Sequence, residues 1–286
     1  VGLHGGKFCR VNGVDTMRQW SIADQQRQPT AVASNTLLGT ARRRGVNSWN
    51  GSYMAYGAKP ATGIMPGSQF SFEGYGSPTN NVSGDGLRYL GDAIVKSVKI
   101  DWSWKDGAII GHTVQFDGSL ELTKALGADP GDVVAPNLPE ILGCYIKWAT
   151  TPALASYATL PNVVSASLTL SSSVKSYVNS STYLNGRLWT GQQGGPIDWN
   201  LSIVQEDDER LTDIFDTGDT IGLKLYTSAT EFWELTYGMV GEFSGITCNR
   251  ETGEIIKRTI NIGMNAYYGS TAGVIKMPGG TTWWPF

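Results

Sequence analysis

Charge is scarce in this chain, and cysteine and histidine are scarcer. Lys and Arg number 22 against 25 Asp and Glu, only 16% of the 286 residues, with a formal charge of -3 and a pI near 5.5. A balance so near neutral, tilted acidic, excludes the electrostatic grip on phosphate backbones that a basic surface provides. Three cysteines, Cys9, Cys144 and Cys248, are odd in number and too few for a disulfide framework, which points to synthesis in a reducing cytoplasm. No apolar run reaches membrane-spanning length, and the first residues, VGLHGG, lack the basic stretch and apolar core of a signal peptide. Synthesis in the cytosol without membrane insertion is therefore expected. The opening valine fits a removed initiator Met, and truncation would look the same.

What the chain has in abundance is glycine, 36 residues, and aromatic rings, 10 Trp and 12 Tyr among them. With Ser and Thr also plentiful, this describes strands and turns rather than a helical bundle, and the expected class is mainly β. In VKIDWSW, Val98, Ile100, Trp102 and Trp104 alternate with Lys99, Asp101 and Ser103, and Ile110, Val114 and Phe116 keep the period of two beyond Lys105-Asp106-Gly107. Such a three-residue loop with Gly in the left-handed position predicts a β-hairpin. Glu251-Thr252-Gly253 supplies the same part later in the chain. Ile109 and Ile255 fall on the opposite face from the main apolar row, so these strands are expected to bury both faces.

The neighbourhoods of the two corners also correspond. GSQFSFEGYGS from Gly67 matches GDTIGLKLYTS from Gly218, SWNGS around Trp49 matches DWNLS around Trp199, and SNTLLG from Ser34 matches SSTYLNG from Ser180. Four blocks in one order predict internal duplication. The expected organisation is two copies of one domain, at residues 10–122 and 160–268, joined by a Pro-rich strap at 123–159 and followed by a tail at 269–286. In the second copy EDDERLTDIF, residues 206–215, reads as a helix with its acidic residues early and Leu211, Ile214 and Phe215 on one face. The prolines of AYGAKPATGIMPG make a helix doubtful in the first. GSPTNNVSGDG, residues 76–86, is a long polar loop.

The order V-x-S-N-T, R-R-R-G, S-W-N-G-S, P-G-x-x-F-x-F, then a strand, a Gly hairpin and TVQF, resembles the tail tube proteins of long-tailed bacteriophages. The resemblance implies two tandem β-sandwich or barrel-like domains, each with a short flanking helix. It also implies stacked rings around the channel through which DNA leaves the capsid. A double-length subunit would form a homotrimeric, pseudo-hexameric ring. The implied partners are further copies of the chain and other tail proteins (sheath or terminator, baseplate), with genomic DNA passing the lumen unheld. The implied location is the virion tail, after synthesis in the bacterial host cytoplasm. The lumen wall is expected to be acidic or neutral, because each Lys or Arg neutralising a phosphate would brake the passage of DNA.

Motifs for chemistry are weak. His112, mid-strand, reads as a structural imidazole rather than a base, and His4 lies in a glycine-rich start. No His-Glu-x-x-His or Cys-x-x-Cys spacing supports zinc. GLHGGK at 2–7 is a residue short of a phosphate loop, with Phe8 in the place of the hydroxyl residue. Arg42, Arg43 and Arg44 read as an exposed basic run or as partners for acidic groups on an adjacent subunit. Glu206, Asp207, Asp208 and Glu209 lack the alternating ligands of a calcium loop, and the Asn-x-Ser sequons at Asn81, Asn179 and Asn200 carry meaning only in a secreted chain. No catalytic, cofactor or metal residue is assigned, and no enzyme activity or cofactor is expected. Trp102 and Trp104 could stack on a sugar, whereas Trp49 and Trp199 suit the core. The end cluster Trp283, Trp284 and Phe286 is expected to dock on the chain itself or on a neighbouring ring. Two other readings stay open: another virion protein (tail terminator, baseplate or head decoration), and a tandem carbohydrate-binding β-sandwich.

Overall fold

The computed structural model describes residues 10–11, 17–27, 30–31, 41–42, 45–61, 63–75, 85–104, 110–128, 144–150, 156–206, 216–247, 257–265, 267–268, 271–280 and 282–285. Thirteen strands carry the argument. They are β1 (Met17–Gln26), β2 (Val46–Tyr56), β3 (Gln69–Tyr75), β4 (Asp85–Ser103), β5 (Gly111–Ala128), β6 (Ile146–Thr150) and β7 (Val163–Ser172). The remainder are β8 (Ile197–Glu206), β9 (Thr220–Tyr226), β10 (Phe232–Thr247), β11 (Lys257–Met264), β12 (Val274–Lys276) and β13 (Thr282–Pro285). All belong to one 17-stranded sheet.

A band of eight strands crosses the molecule in the order β1, β2, β5, β4, β7, β8, β11, β10, and every adjacent pair is antiparallel. Its middle is the pairing of residues 97–103 of β4 with 165–171 of β7, from Ser97 opposite Ser171 to Ser103 opposite Ser165. The period-two patterns of both strands make this register the favourable one. Val98, Ile100 and Trp102 share a face with Leu170, Leu168 and Ala166, and all six are buried. A slip of one residue would turn both apolar rows toward water.

The sheet folds over itself. The first half of β4 pairs with β3 and β5, and register shifts at Leu90/Asp92 and Val95/Ser97 bend it out of line with its second half. Trp49 on β2 and Phe72 on β3 stand three ladder steps apart, about 14 Å in a flat sheet. Their ring centroids are 5.8 Å apart, so the two stretches face each other across a core. Phe116 joins them, 5.1 Å from Phe72 and 6.0 Å from Trp49. Trp49 also donates its indole N–H to the Leu120 carbonyl at 3.1 Å, where Leu120 has a φ of 65° and β5 changes direction. In the other half of the band Trp199, Leu201, Ile203, Leu235, Ile260 and Ile262 are all at most 1% exposed. Each such side chain contributes about 1.5–3 kcal/mol by leaving water.

This architecture corrects the expected fold. The chain does not consist of two self-contained sandwich or barrel-like domains, because β4 and β7 join its halves in one ladder and no part of the sheet closes into a barrel. The hairpins that the sequence equated differ in build: β4 and β5 run 19 and 18 residues, β10 and β11 run 16 and 8. Two matched bodies related by tandem duplication are therefore replaced by a single sheet threaded through both halves. Flanking helices are also missing where they can be checked. Residues 57–61 and 63–67 turn without forming one, and the only helix among the described residues is a 3-10 turn at Ser180–Thr182. Most of the expected helix at 206–215 and both hairpin loops, with Ile109 and Ile255, lie outside the described residues.

Within this chain the strand buries one face: Val98, Ile100 and Trp102 are buried, whereas Lys99 and Asp101 between them are exposed. Within the strap, β6 adds to the sheet by pairing with β9, and residues 158–159 pair with β6. At the C-terminus the backbone of β13 pairs with β12, which pairs with β10. The tail thus anchors on this chain's own sheet.

The Trp49 packing generates a test. A Cβ added at Gly118 would lie 2.1 Å from Trp49 Cδ2, whereas one added at Gly263 on β11 meets nothing within 4 Å. Gly118→Ala is expected to cost about 1–3 kcal/mol through overpacking. Gly263→Ala should stay within about 0.5 kcal/mol of the parent. Denaturant unfolding of both variants checks this, and equal stabilities would contradict the packing described.

Candidate functional site

The residues that could have carried chemistry are placed first. His112 sits on β5, 4% exposed, with Nδ1 2.9 Å from the Gly57 carbonyl oxygen and its ring edge-on to Tyr53. Burial pushes its pKa below the ordinary imidazole value, and the hydrogen bond to Gly57 opposes this in part. The Cys144 thiol is also buried, and burial raises its pKa to about 11. At neutral pH it stays a thiol, the unreactive form. Among the described residues no group of three or more His, Cys, Asp and Glu could hold a metal ion. The GLHGGK start with His4, Cys9, Cys248, Arg43, Arg44, Asn81 and the acidic run at 207–209 lie outside the described residues. Arg42 pairs through its backbone with Thr30, and Asn179 caps the turn at Ser180–Thr182.

The tryptophans are spent on the interior. Trp102 is 2% exposed, and Trp49, Trp189, Trp199 and Trp233 are as deeply buried. Trp104 is partly buried and donates to the Cys144 carbonyl at 2.8 Å; Trp233 donates to the Ala58 carbonyl at 2.8 Å. Trp102 and Trp104 therefore offer no aligned exposed rings on which a sugar could stack.

What remains is a surface. The eight-stranded band buries one face on the core, and pleating sends every other side chain to the opposite face. Gln19, Ser21, Ala23 and Gln25 of β1 lie beside Met54, Ser52, Asn50 and Ser48 of β2, and these beside Thr113, Gln115 and Asp117 of β5. Ser97, Lys99, Asp101 and Ser103 of β4 continue the face onto Ser171, Thr169, Ser167 and Ser165 of β7. Asp198, Asn200, Ser202 and Val204 of β8 then lead to Thr259, Asn261 and Gly263 of β11.

Short hydroxyl and amide side chains dominate, and they bond to each other across strands. Ser21 and Ser52 are 3.1 Å apart through their hydroxyls, and Ser97 donates to Gln115 at 3.2 Å. The charges also answer one another along the face. Lys99 reaches Asp101 at 3.0 Å and Lys96 reaches Asp117 at 3.6 Å, while Glu206 lies opposite Lys257. With Asp198, three lysines stand among four carboxylates, and Arg18 and Arg27 border the same face beside Asp101 and Asp117, so the face is close to neutral without an acidic tilt.

Sequence reading did not single out this face, although its signal is legible: SASLTLSSS places hydroxyls at every second position of β7, in step with the charges of KIDWS. Protein-family models and curated protein sequences give no match to the chain.

His112 makes the site's surroundings sensitive to acid. The folded chain keeps the imidazole neutral to a lower pH than the unfolded chain does. Its contribution is therefore complete above the ordinary value of about 6.5 and is lost as pH falls below it toward the depressed folded value. Unfolding free energies from denaturant titrations between pH 7.5 and 5 should drop by up to about 1.4 kcal/mol per pH unit from this group. In His112→Gln that slope should flatten, and an unchanged slope would contradict the assignment.

Proposed function

We propose that this chain is a structural virion protein, the tail tube subunit of a long-tailed bacteriophage, whose copies form rings that stack into a hollow conduit for DNA ejection. The reading rests on one observation above the others: a wide sheet that buries one face and presents a polar, nearly neutral, tightly cross-bonded face on the other. Such a face suits the wall of a channel. It stays hydrated, it offers no dense cluster of cations to hold phosphates, and Lys96 and Lys99 are already paired with Asp117 and Asp101.

The width of the band also bears on ring size. Strands lie about 4.8 Å apart, so a closed cylinder from three copies, 24 strands, has a backbone diameter of about 37 Å before tilt widens it. Two copies give only about 24 Å, which polar side chains would narrow below what a duplex needs. Three copies per ring is therefore the smallest closure that leaves a bore. Other tail proteins, a sheath or terminator and the baseplate, are the partners this role requires. Because stacking uses a head-to-tail contact that does not close on itself, growth is open-ended.

Negative-stain electron microscopy of the purified full chain tests the assignment. Long hollow tubes are expected. Isolated rings or capsid decoration would favour a terminator, baseplate or head-decorating protein, and small monomeric particles would overturn the assembly reading altogether.

The wall has its own test. Assembled protein should show no tight, salt-dependent affinity for duplex DNA. Replacing Asp101, Asp117 and Asp198 together by Lys should create one, with log affinity falling against log salt at a slope of about -0.9 for each phosphate contacted. Tight, ionic-strength-dependent binding by the parent would count against a conduit.

A further inference from the structure

Apart from the eight-stranded band, β6, β9, the start of β10 and β12 form a run of four strands in that order, each neighbouring pair antiparallel. Its inward row is apolar: Ile146, Leu223, Leu225, Leu235 and Ile275 are each at most 1% exposed. Pleating sends the residues between them outward, and the register lines these up across all four strands. Lys147 stands opposite Lys224, Lys224 opposite Glu234, and Glu234 opposite Lys276. A row of rings runs alongside. Tyr145 and Tyr226 stack at 4.1 Å between centroids, and Tyr226 meets Phe232 at 4.9 Å.

The charges of this row do not balance. Glu234 takes Lys276 at 2.8 Å and Lys224 at 3.7 Å. Three lysines thus share one carboxylate among the described residues of the row, a local positive surplus on a chain whose formal charge is -3. Glu231 and Lys59, which flank the turn at Gly279, cancel each other. Lys147 and Lys224 are like charges directly opposite on neighbouring strands, an arrangement that costs a sheet stability.

Both ammonium groups rest on aromatic faces. Lys147 Nζ lies 5.4 Å from the ring centroids of Tyr145 and of Tyr226, and Lys224 Nζ lies 4.3 Å from that of Tyr157 and 4.8 Å from that of Phe232. The rings therefore hold two cations side by side, where an anion can bridge them. The side chains of Lys224 and Lys276 are 22% and 42% exposed, within reach of a partner.

We propose that this row is a docking site for an extended acidic segment of a partner protein, whose carboxylates bridge Lys147 and Lys224 while its backbone crosses β6, β9, β10 and β12. The inference goes beyond the tube reading and stands without it. Strands about 4.8 Å apart make the row about 14 Å long, the reach of about four extended residues. The chemistry favours a peptide over a nucleic acid. Tyr226 lies between Tyr145 and Phe232, so the rings contact each other instead of offering a platform to bases. The cations are lysines, point charges, and not the guanidinium forks that match phosphate. Glu234 sits within the row, where a polyanion charged at every step would meet it, whereas a peptide strand turns alternate side chains away.

Fluorescence anisotropy of a fluorescein-labelled oligoglutamate peptide, titrated with the purified full chain, tests the site. Because the chain is acidic overall, general attraction does not bring the peptide in. The parent is expected to bind it, with affinity falling as salt rises. Lys147→Glu should weaken binding by about tenfold, and Lys276→Gln should weaken it separately. Lys175→Glu, an exposed change outside the row, should leave it as in the parent. Lys147→Glu should also gain affinity for an oligolysine of the same length, a gain that misfolding does not imitate. Circular dichroism and unfolding midpoints like the parent's qualify each variant.

Absence of binding by the parent would overturn the proposal, as would binding that neither row substitution weakens. Equal loss in Lys175→Glu would overturn it in favour of diffuse attraction. Tighter binding of a short DNA duplex or of heparin to the same lysines would overturn it in favour of a polyanion site.

Discussion

The pairing of residues 97–103 with 165–171 holds this molecule together. It fuses what would otherwise be two sheets into one band, and it does so with an apolar row of Val98, Ile100, Leu168 and Leu170 at no measurable exposure beneath it. The ladder fixes the register on the buried side, and because side chains alternate, it fixes the opposite face at the same time. The Ser, Thr, Gln and Lys residues of that face are therefore placed by the core rather than by any interaction of their own. A polar surface positioned in this way is rigid, and rigidity is what a wall needs.

The same constraint explains why the ends of the band are as they are. Each internal strand has two partners, and the folded-over stretches around Phe72 and Leu235 cover the band's apolar side, with the first half of β4 and the start of β10 lying in that second layer. Among the described residues, β10 has no strand partner on its second side beyond Val240, and β1 pairs only with β2. Both edges follow from the bends in the long strands, where register shifts carry one half of a strand out of line with the other.

Much of this was legible in the sequence, and the failures have physical causes. Alternation in VKIDWSW and TVQF gave both strands of the first long hairpin, and Trp49 and Trp199, read as core from their matching places in the similar blocks, are buried. The similar blocks were read as separate bodies because local pattern says which residues form strands but not which strand lies beside which; the β4 and β7 partners are more than sixty residues apart in the chain. Lys99 and Asp101 already marked an exposed face between Val98, Ile100 and Trp102, and the isolated Ile109 outweighed them in the sequence reading. The role of β6 was hidden by its short length and the prolines around it, since a five-residue strand within a Pro-rich strap has little periodicity to detect. The polar face was missed because serine and threonine carry no chemistry individually, and only their register across several strands makes them a surface.

Amide hydrogen exchange tests the central claim, that one ladder joins the two halves into a single band and holds its polar face in place, most directly. The account predicts that amides bonded between residues 97–103 and 165–171 are among the slowest to exchange and lose protection together with those of the flanking strands. Rapid exchange of this ladder while the strands on either side stay protected would contradict it.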